Sequence, residues 1–289
     1  MSPSEFFEKS FDAQGVKINF AEGPHHGPPL LMLHGVIMRW QSMRPLMPGL
    51  ADRWHVYAPD FRGHGGSART PGNYDLSDFV ADTQQFLERE IGEPAYIFGH
   101  SMGGIIALIL AAHCPTLVKA VVVGDSPLFP ENYQKSSLPK VFAQIRDIAA
   151  KHLPLQETIT AIGDMRVHWL GHETPLRFRH LLGRNGAYLR FFSECVTYLD
   201  PEVLTALLDH KTVEPFHAET ILPQITCPVF FIQAGALMSR LLTAKDLHRA
   251  LSMLPQARSV TFPFLGHPLH LQRPEPVLRA LKNYLESVR

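Results

Sequence analysis

The sequence predicts an α/β fold: a mostly parallel central sheet flanked by helices, with a helical cap inserted after the strand that ends near Asp125. Three observations predict it. Short apolar runs rich in Val, Ile, Leu and Phe recur along the chain, each closed by Gly, Asp or His. Helical patterns separate several of these runs. After Asp125 the alternation stops, and a long stretch without strand-like patterning intervenes before strands resume.

In chain order, residues 30–33, 55–58, 95–98, 120–123, 229–232 and 260–264 read as buried strands, because continuous apolar runs suit strands covered on both faces. Residues 77–90, with apolar Phe79, Val80 and Phe86, and residues 102–113, nearly all small or apolar, read as helices. Strand–helix alternation implies parallel pairing through right-handed crossovers. Residues 126–139 are rich in Pro and polar side chains and are followed by about three helical segments. Residues 140–208 carry aromatic and basic residues together, among them Trp169, Phe178, Arg179, Tyr188, Phe191 and Phe192, and read as a cap over the strand ends. The expected division is a core of residues 1–125 and 221–289 with a helical cap of residues 126–220. Trp40, Trp169 and Phe129 are the candidate substrate-binding side chains; the competing reading of such aromatics is helix packing.

A chain of 289 residues, 45% hydrophobic and 19% charged, can bury one large core without disulfides or metal. Its 27 Lys and Arg balance 27 Asp and Glu, so no global field gathers nucleic acid or an anionic membrane; the expected partner is a small-molecule substrate. Cys114, Cys195 and Cys227 are far apart, show no CxxC spacing and leave one over in any pairing, which fits a reducing cytoplasm. Residues 1–9 lack a basic region followed by an apolar run, so no secretory signal is expected, and no stretch is long enough to span a bilayer. Oligomeric state is not legible.

The run 95–98 leads into Gly99-His100-Ser101-Met102-Gly103, and a helical pattern follows at once. Strand, tight turn and helix are what a G-x-S-x-G elbow requires, since the serine must sit on a strained turn with its hydroxyl exposed. Gly99 and Gly103 keep side chains from colliding with the neighbouring strand and helix. Three further motifs flank it. His34-Gly35 closes the run 30–33 and is followed by Trp40. Asp60-Phe61-Arg62-Gly63-His64-Gly65-Gly66-Ser67 follows the run 55–58. Gly266-His267-Pro268-Leu269-His270 follows the last run.

In this order, the four motifs resemble those of the α/β-hydrolase family over nearly the whole chain: its oxyanion loop, its D-x-R-G-x-G-x-S loop, its nucleophile elbow and its G-H-x-x-H close. The resemblance implies Ser101 as nucleophile and His267 as its base. Chemistry asks for the same pair, because a hydroxyl is a poor nucleophile at neutral pH and imidazole can take and return its proton. The oxyanion of a tetrahedral intermediate would be held by the backbone N–H groups of Val36 and Met102, the latter at a helix N-terminus.

The third member departs from the pattern. The family commonly places an acid just after the strand that here spans residues 227–233. In this chain Ala234-Gly235-Ala236-Leu237-Met238-Ser239-Arg240 follows, and the first carboxylate is Asp246, inside a helical pattern. The resemblance then points to Asp125, after the run 119–124, a position from which some members supply the acid. There it would hold the imidazole tautomer and stabilise imidazolium. The competing reading is a strand-end Asp that caps the turn into the insertion.

His34, His64 and His100 lie beside motif glycines, where an imidazole usually satisfies backbone groups, and His270 reads as a structural partner of the C-terminal loop. No metal is expected: His172-Glu173 lacks a second His at position 176, where Leu176 stands, and His25-His26 lies in a Gly/Pro loop. Residues 63–68 fit G-x-G-x-x-A but lead into the polar turn Arg69-Thr70-Pro71-Gly72-Asn73, with no helix to face a pyrophosphate, so no nicotinamide or flavin cofactor is expected.

The implied activity is a carboxylesterase-like serine hydrolase that cleaves an ester or lactone of a small apolar substrate through an acyl-enzyme on Ser101. Ser rather than Asp at the elbow argues against haloalkane dehalogenases and epoxide hydrolases of similar fold. Carbon–carbon bond hydrolases of the family keep the same triad, and perhydrolase activity also stays open. A hydrolase-fold ligand receptor with weak catalysis is the alternative of a different class, motivated by the missing acid. The distance from Asp125 to the His267 ring separates it from the enzyme.

Overall fold

The computed structural model describes residues 5–129, 138–167, 174–181, 186–212, 216–236 and 240–289. The chain opens with an antiparallel hairpin, β1 (Phe7–Ala13) and β2 (Val16–Glu22), turned at Gln14 and Gly15, both with positive φ. This hairpin was not expected. Only Phe11 and Ala13 of β1 are buried, too few apolar positions to stand out as a strand.

The expected strands follow as β3 (Pro29–Leu33), β4 (His55–Pro59), β5 (Ala95–His100) and β6 (Val118–Gly124). A two-residue ladder of β7 (Arg166–Val167) with β8 (Leu176–Arg177) stands apart from the main sheet, and β9 (Val229–Ala234) and β10 (Arg258–Phe262) complete it. The order is β1-β2-β4-β3-β5-β6-β9-β10, antiparallel through β1, β2 and β4 and parallel thereafter. The last strand begins and ends two residues earlier than expected. Pro263 has no N–H to continue the ladder, and Phe264 is 85% exposed in the turn that follows.

Alternate residues of each central strand feed two separate cores. Leu31, Leu33, Ile97, Val121, Val123 and Phe231 face one side, against α1 (Leu76–Gln85) and α2 (Met102–His113). Leu30, Met32, Tyr96, Phe98, Val122 and Phe230 face the other. Burial on both faces is why these strands read as unbroken apolar runs. Helix α1 widens into a π-helical turn over Phe86–Ile91, with Phe86 and Leu87 both buried.

Between β6 and β9 the described residues form α3 (Leu138–Ala149), α4 (Leu155–Asp164), α5 (Phe178–Leu181), α6 (Gly186–Tyr198), α7 (Pro201–Leu208) and α8 (Ala218–Ile221). The expected three helical segments are thus too few, and the β7–β8 ladder interrupts a stretch read as free of strands. Ile145, Ile148, Ile162, Phe192 and Val196 from these helices join the core that contains Met102. The exit of this segment is tied down: Tyr74 Oη donates to Asp200 Oδ2 at 2.7 Å, and Asp200 N–H donates to the Gly63 carbonyl at 2.8 Å. The chain closes with α9 (Ala244–Met253), α10 (Leu269–Gln272) and α11 (Pro274–Ser287), the last covering the second core with Val277, Leu281 and Leu285. Among the described residues no helix is long and apolar enough to cross a membrane.

Candidate active site

Ser101 sits between β5 and α2 with φ 55° and ψ −118°, a conformation that L-residues rarely adopt. Two close approaches explain the flanking glycines. A Cβ on Gly99 would stand 2.3 Å from the Gly103 carbonyl oxygen, and one on Gly103 would stand 2.5 Å from that of Leu33. The elbow is fixed by Ser101 N–H donating to the Gly124 carbonyl at 2.9 Å and by Gly104 N–H donating to the Ser101 carbonyl at 3.0 Å. Met102 opens α2, so its N–H is among the first-turn amides that have no acceptor within the helix.

His267 and Asp125, 142 residues apart, meet at 2.8 Å between Nδ1 and Oδ2. Sheet topology brings the acid there. β6 and β9 are parallel neighbours with Gly124 opposite Ile232, so the residue that leaves β6 emerges beside the end of β9, where the family usually carries its acid. Asp125 is fully buried with φ 45°. Its Oδ1 accepts from the N–H groups of Ala234 at 3.2 Å and Leu242 at 3.3 Å, and its Oδ2 accepts from Leu241 N–H at 2.9 Å as well as from His267. A buried carboxylate with this many donors is fixed in orientation. A carboxylate accepts, so His267 carries a proton on Nδ1 and donates it to Asp125.

The loop that carries His267 is also held from the elbow. His100, the residue before Ser101, donates its Nε2–H to the His267 carbonyl at 2.9 Å, with the two rings 4.6 Å apart. Burial, then the neighbouring His267 and His270, hold the His100 pKa well below its ordinary value, so it is neutral at pH 7. His270 is 1% exposed and packs 4.7 Å from the His100 ring, but among the described residues neither of its ring nitrogens has a hydrogen-bond partner. It is held there by packing, and burial, then the neighbouring His267, lower its pKa to about 3.

The loop after β3 is strained and propped. Ile37 is β-branched yet has φ 75°. Its N–H donates to His64 Nε2 at 3.3 Å, and His64 Nδ1–H donates to the Arg62 carbonyl at 2.8 Å. His34 accepts from Phe61 N–H at 3.0 Å and donates to the Gly35 carbonyl at 2.8 Å. Both rings are buried, which lowers the pKa of His34 to about 4 and that of His64 to about 3. Asp60 heads the D-x-R-G-x-G-x-S loop, but no role of its own was expected for it. It accepts from Trp40 N–H at 2.7 Å, Gly66 N–H at 2.9 Å and Asn19 Nδ2 at 2.8 Å, and so ties the loop after β4 to the loop after β3. An Asp at the end of a buried strand was the available signal.

Of the three candidate substrate-binding aromatics, Phe129 is buried in the core that holds Met102, with the Arg249 guanidinium 4.1 Å from its ring centroid. Trp40 is buried in the other core, beside Met43 and Met47. Trp169 lies outside the described residues.

An eight-stranded, mainly parallel sheet with a strained serine between strand and helix, and a histidine on a loop beyond the last strand, defines a class. The chain belongs to the α/β-hydrolase family, whose model matches residues 30–280, and it is a hydrolase of that family. It is similar to Esterase YbfF of Escherichia coli (strain K12), 25% identical over 274 residues that cover 94% of this chain and 98% of that protein. To the magnesium-chelatase 30 kDa subunit of Rhodobacter capsulatus it is 42% identical over 94 residues, a match that spans only 33% of that protein. Among solved structures, E-2-(acetamidomethylene)succinate hydrolase shares the fold with a TM-score of 0.76 at 22% identity, covering 98% of this chain and 100% of that one.

Proposed function

We propose that the protein is a serine hydrolase that cleaves an ester or lactone of a small apolar substrate through an acyl-enzyme on Ser101. The observation that carries this reading is the 2.8 Å hydrogen bond from His267 Nδ1 to a fully buried Asp125. In the proposed mechanism His267 Nε2 takes the Ser101 proton as Oγ attacks the carbonyl carbon, and Asp125 stabilises the resulting imidazolium. The Val36 and Met102 N–H groups hold the oxyanion. His267 returns its proton to the leaving alcohol, and a water then repeats the sequence to release the acid. Residues 126–220 act as the cap, and Phe129, in the apolar cluster with Met38, Leu128 and Phe192, favours an apolar acyl or alcohol group.

The receptor alternative loses its motive, because a carboxylate does reach the imidazole. The three free thiols favour the cytoplasm as its location. The test is intact mass after incubation with a fluorophosphonate. A single adduct on the wild type that is absent from Ser101→Ala supports the reading; a folded wild type that stays unmodified at high probe and long times refutes it.

A further inference from the structure

We propose that Arg39 is a positioning residue that fastens the loop after β3 to helix α6, so that the arrangement of Val36 as an oxyanion donor depends on the seating of that helix. This rests on the serine-hydrolase reading above.

Arg39 lies two residues beyond the strained Ile37. A backbone held at an unfavourable φ persists only where its surroundings over-determine it. The core side supplies the bonds from Ile37 to His64 and from Trp40 to Asp60. The other side is supplied through Arg39. Its Nη2 pairs with Glu194 at 2.8 Å, and its guanidinium carbon stands 4.9 Å from the Tyr198 ring centroid and 5.9 Å from that of Phe191. Phe191, Glu194 and Tyr198 are spaced i, i+3, i+7, so a single face of α6 closes around one guanidinium.

The side chain of Arg39 is only 13% exposed, which makes its pair with Glu194 less screened than a surface ion pair. Among the described residues no group within hydrogen-bond reach satisfies the buried Arg39 Nε, a cost that a freely placed surface arginine would not carry. Pulling α6 away would strip this loop of its anchor on that side and let Ile37 relax toward negative φ. That relaxation rotates the peptide planes beside Val36, and an oxyanion donor acts only when it already points at the developing charge.

The test compares the full-length wild type with Arg39→Met, Glu194→Gln and the double variant, by hydrogen–deuterium exchange and by hydrolysis of p-nitrophenyl butyrate. Both single variants are expected to raise exchange in residues 36–40 by about tenfold while residues 99–105 stay unchanged. For Arg39→Met, kcat should fall up to ~100-fold with KM within about threefold, since a misplaced donor weakens the transition state more than the bound ester. Glu194→Gln should show a smaller loss, and the double variant should be no worse than Arg39→Met alone. Unchanged exchange in residues 36–40 overturns the proposal, as does an additive double variant. A raised KM with intact kcat also overturns it and makes the guanidinium a substrate contact instead. A wild type that neither hydrolyses the ester nor reacts with fluorophosphonate defeats the hydrolase reading, and the exchange comparison still decides whether Arg39 couples loop to helix.

Discussion

Replacing Asp125 by Asn keeps shape and volume and changes only charge, donors and acceptors, so its effect can be worked out atom by atom. Four donors converge on the carboxylate: Ala234 and Leu242 N–H on Oδ1, and Leu241 N–H and His267 Nδ1–H on Oδ2. An amide has one accepting oxygen and one NH2 group that only donates, so the donors on one side must lose their acceptor. With the NH2 group at the Oδ1 position, two backbone N–H groups are stranded. At the Oδ2 position only Leu241 N–H is stranded, because His267 can move its proton from Nδ1 to Nε2 and accept from the amide. The second arrangement leaves fewer orphaned donors and is the expected one. His267 Nε2 then carries a proton and cannot take one from Ser101. The expected loss in kcat is ~10⁴-fold at neutral pH, or about 5.5 kcal/mol of transition-state stabilisation. Hydrolysis of p-nitrophenyl butyrate reads it, with circular dichroism to establish that the variant is folded. A folded Asp125→Asn protein that keeps activity within about tenfold would refute the reasoning and leave Asp125 as a pin for the loop after β9.

On the proposed mechanism Ser101→Gly is expected to remove the activity, and it also removes the backbone strain at φ 55°, which costs about 1–3 kcal/mol for a residue with a Cβ. After the greater freedom of unfolded glycine is subtracted, a net gain of about 1 kcal/mol and a Tm rise of ~2–4 °C are expected by calorimetry, and a lower Tm would contradict the strain assignment. His34, His64, His100 and His270 are all held neutral by burial, so their folded pKa values lie below that of the unfolded chain. Their contribution to stability is complete above about pH 6.5 and is lost as pH falls below it, toward about 4 for His34 and about 3 for His64 and His270, at about 1.4 kcal/mol per pH unit for each. His270→Phe, which removes two unpartnered ring nitrogens, should lower the pH slope of the urea-unfolding free energy between pH 6 and 4.5 by about that amount; an unchanged slope would mean that His270 takes up its proton in the folded state.

The sequence by itself determined the parts in which a local pattern and a local geometry coincide. A short apolar run, two glycines and a small-residue helix can be satisfied only by a strand–turn–helix, and the turn at Ser101 and the bounds of α2 were legible for that reason. The loops after β3 and β4 could be recognised from their glycines and histidines. The β1–β2 hairpin escaped because β1 is mostly solvated, and the end of β10 escaped because Pro263 stops a run that hydrophobicity alone would continue through Phe264. Only the tertiary structure decided what Asp125 touches. Residues 125 and 267 are linked by no pattern in the chain; they meet because β6 pairs with β9, so a carboxylate leaving one strand can stand at the end of its neighbour. The position of Trp40 in the core away from Met102, the unpartnered burial of His270 and the grip of α6 on Arg39 were settled the same way, by which faces pack together once the sheet has formed. Local motifs fix which groups are present, because turn geometry is set by a few adjacent dihedral angles. Which groups meet depends on pairings between distant strands, which the whole core selects.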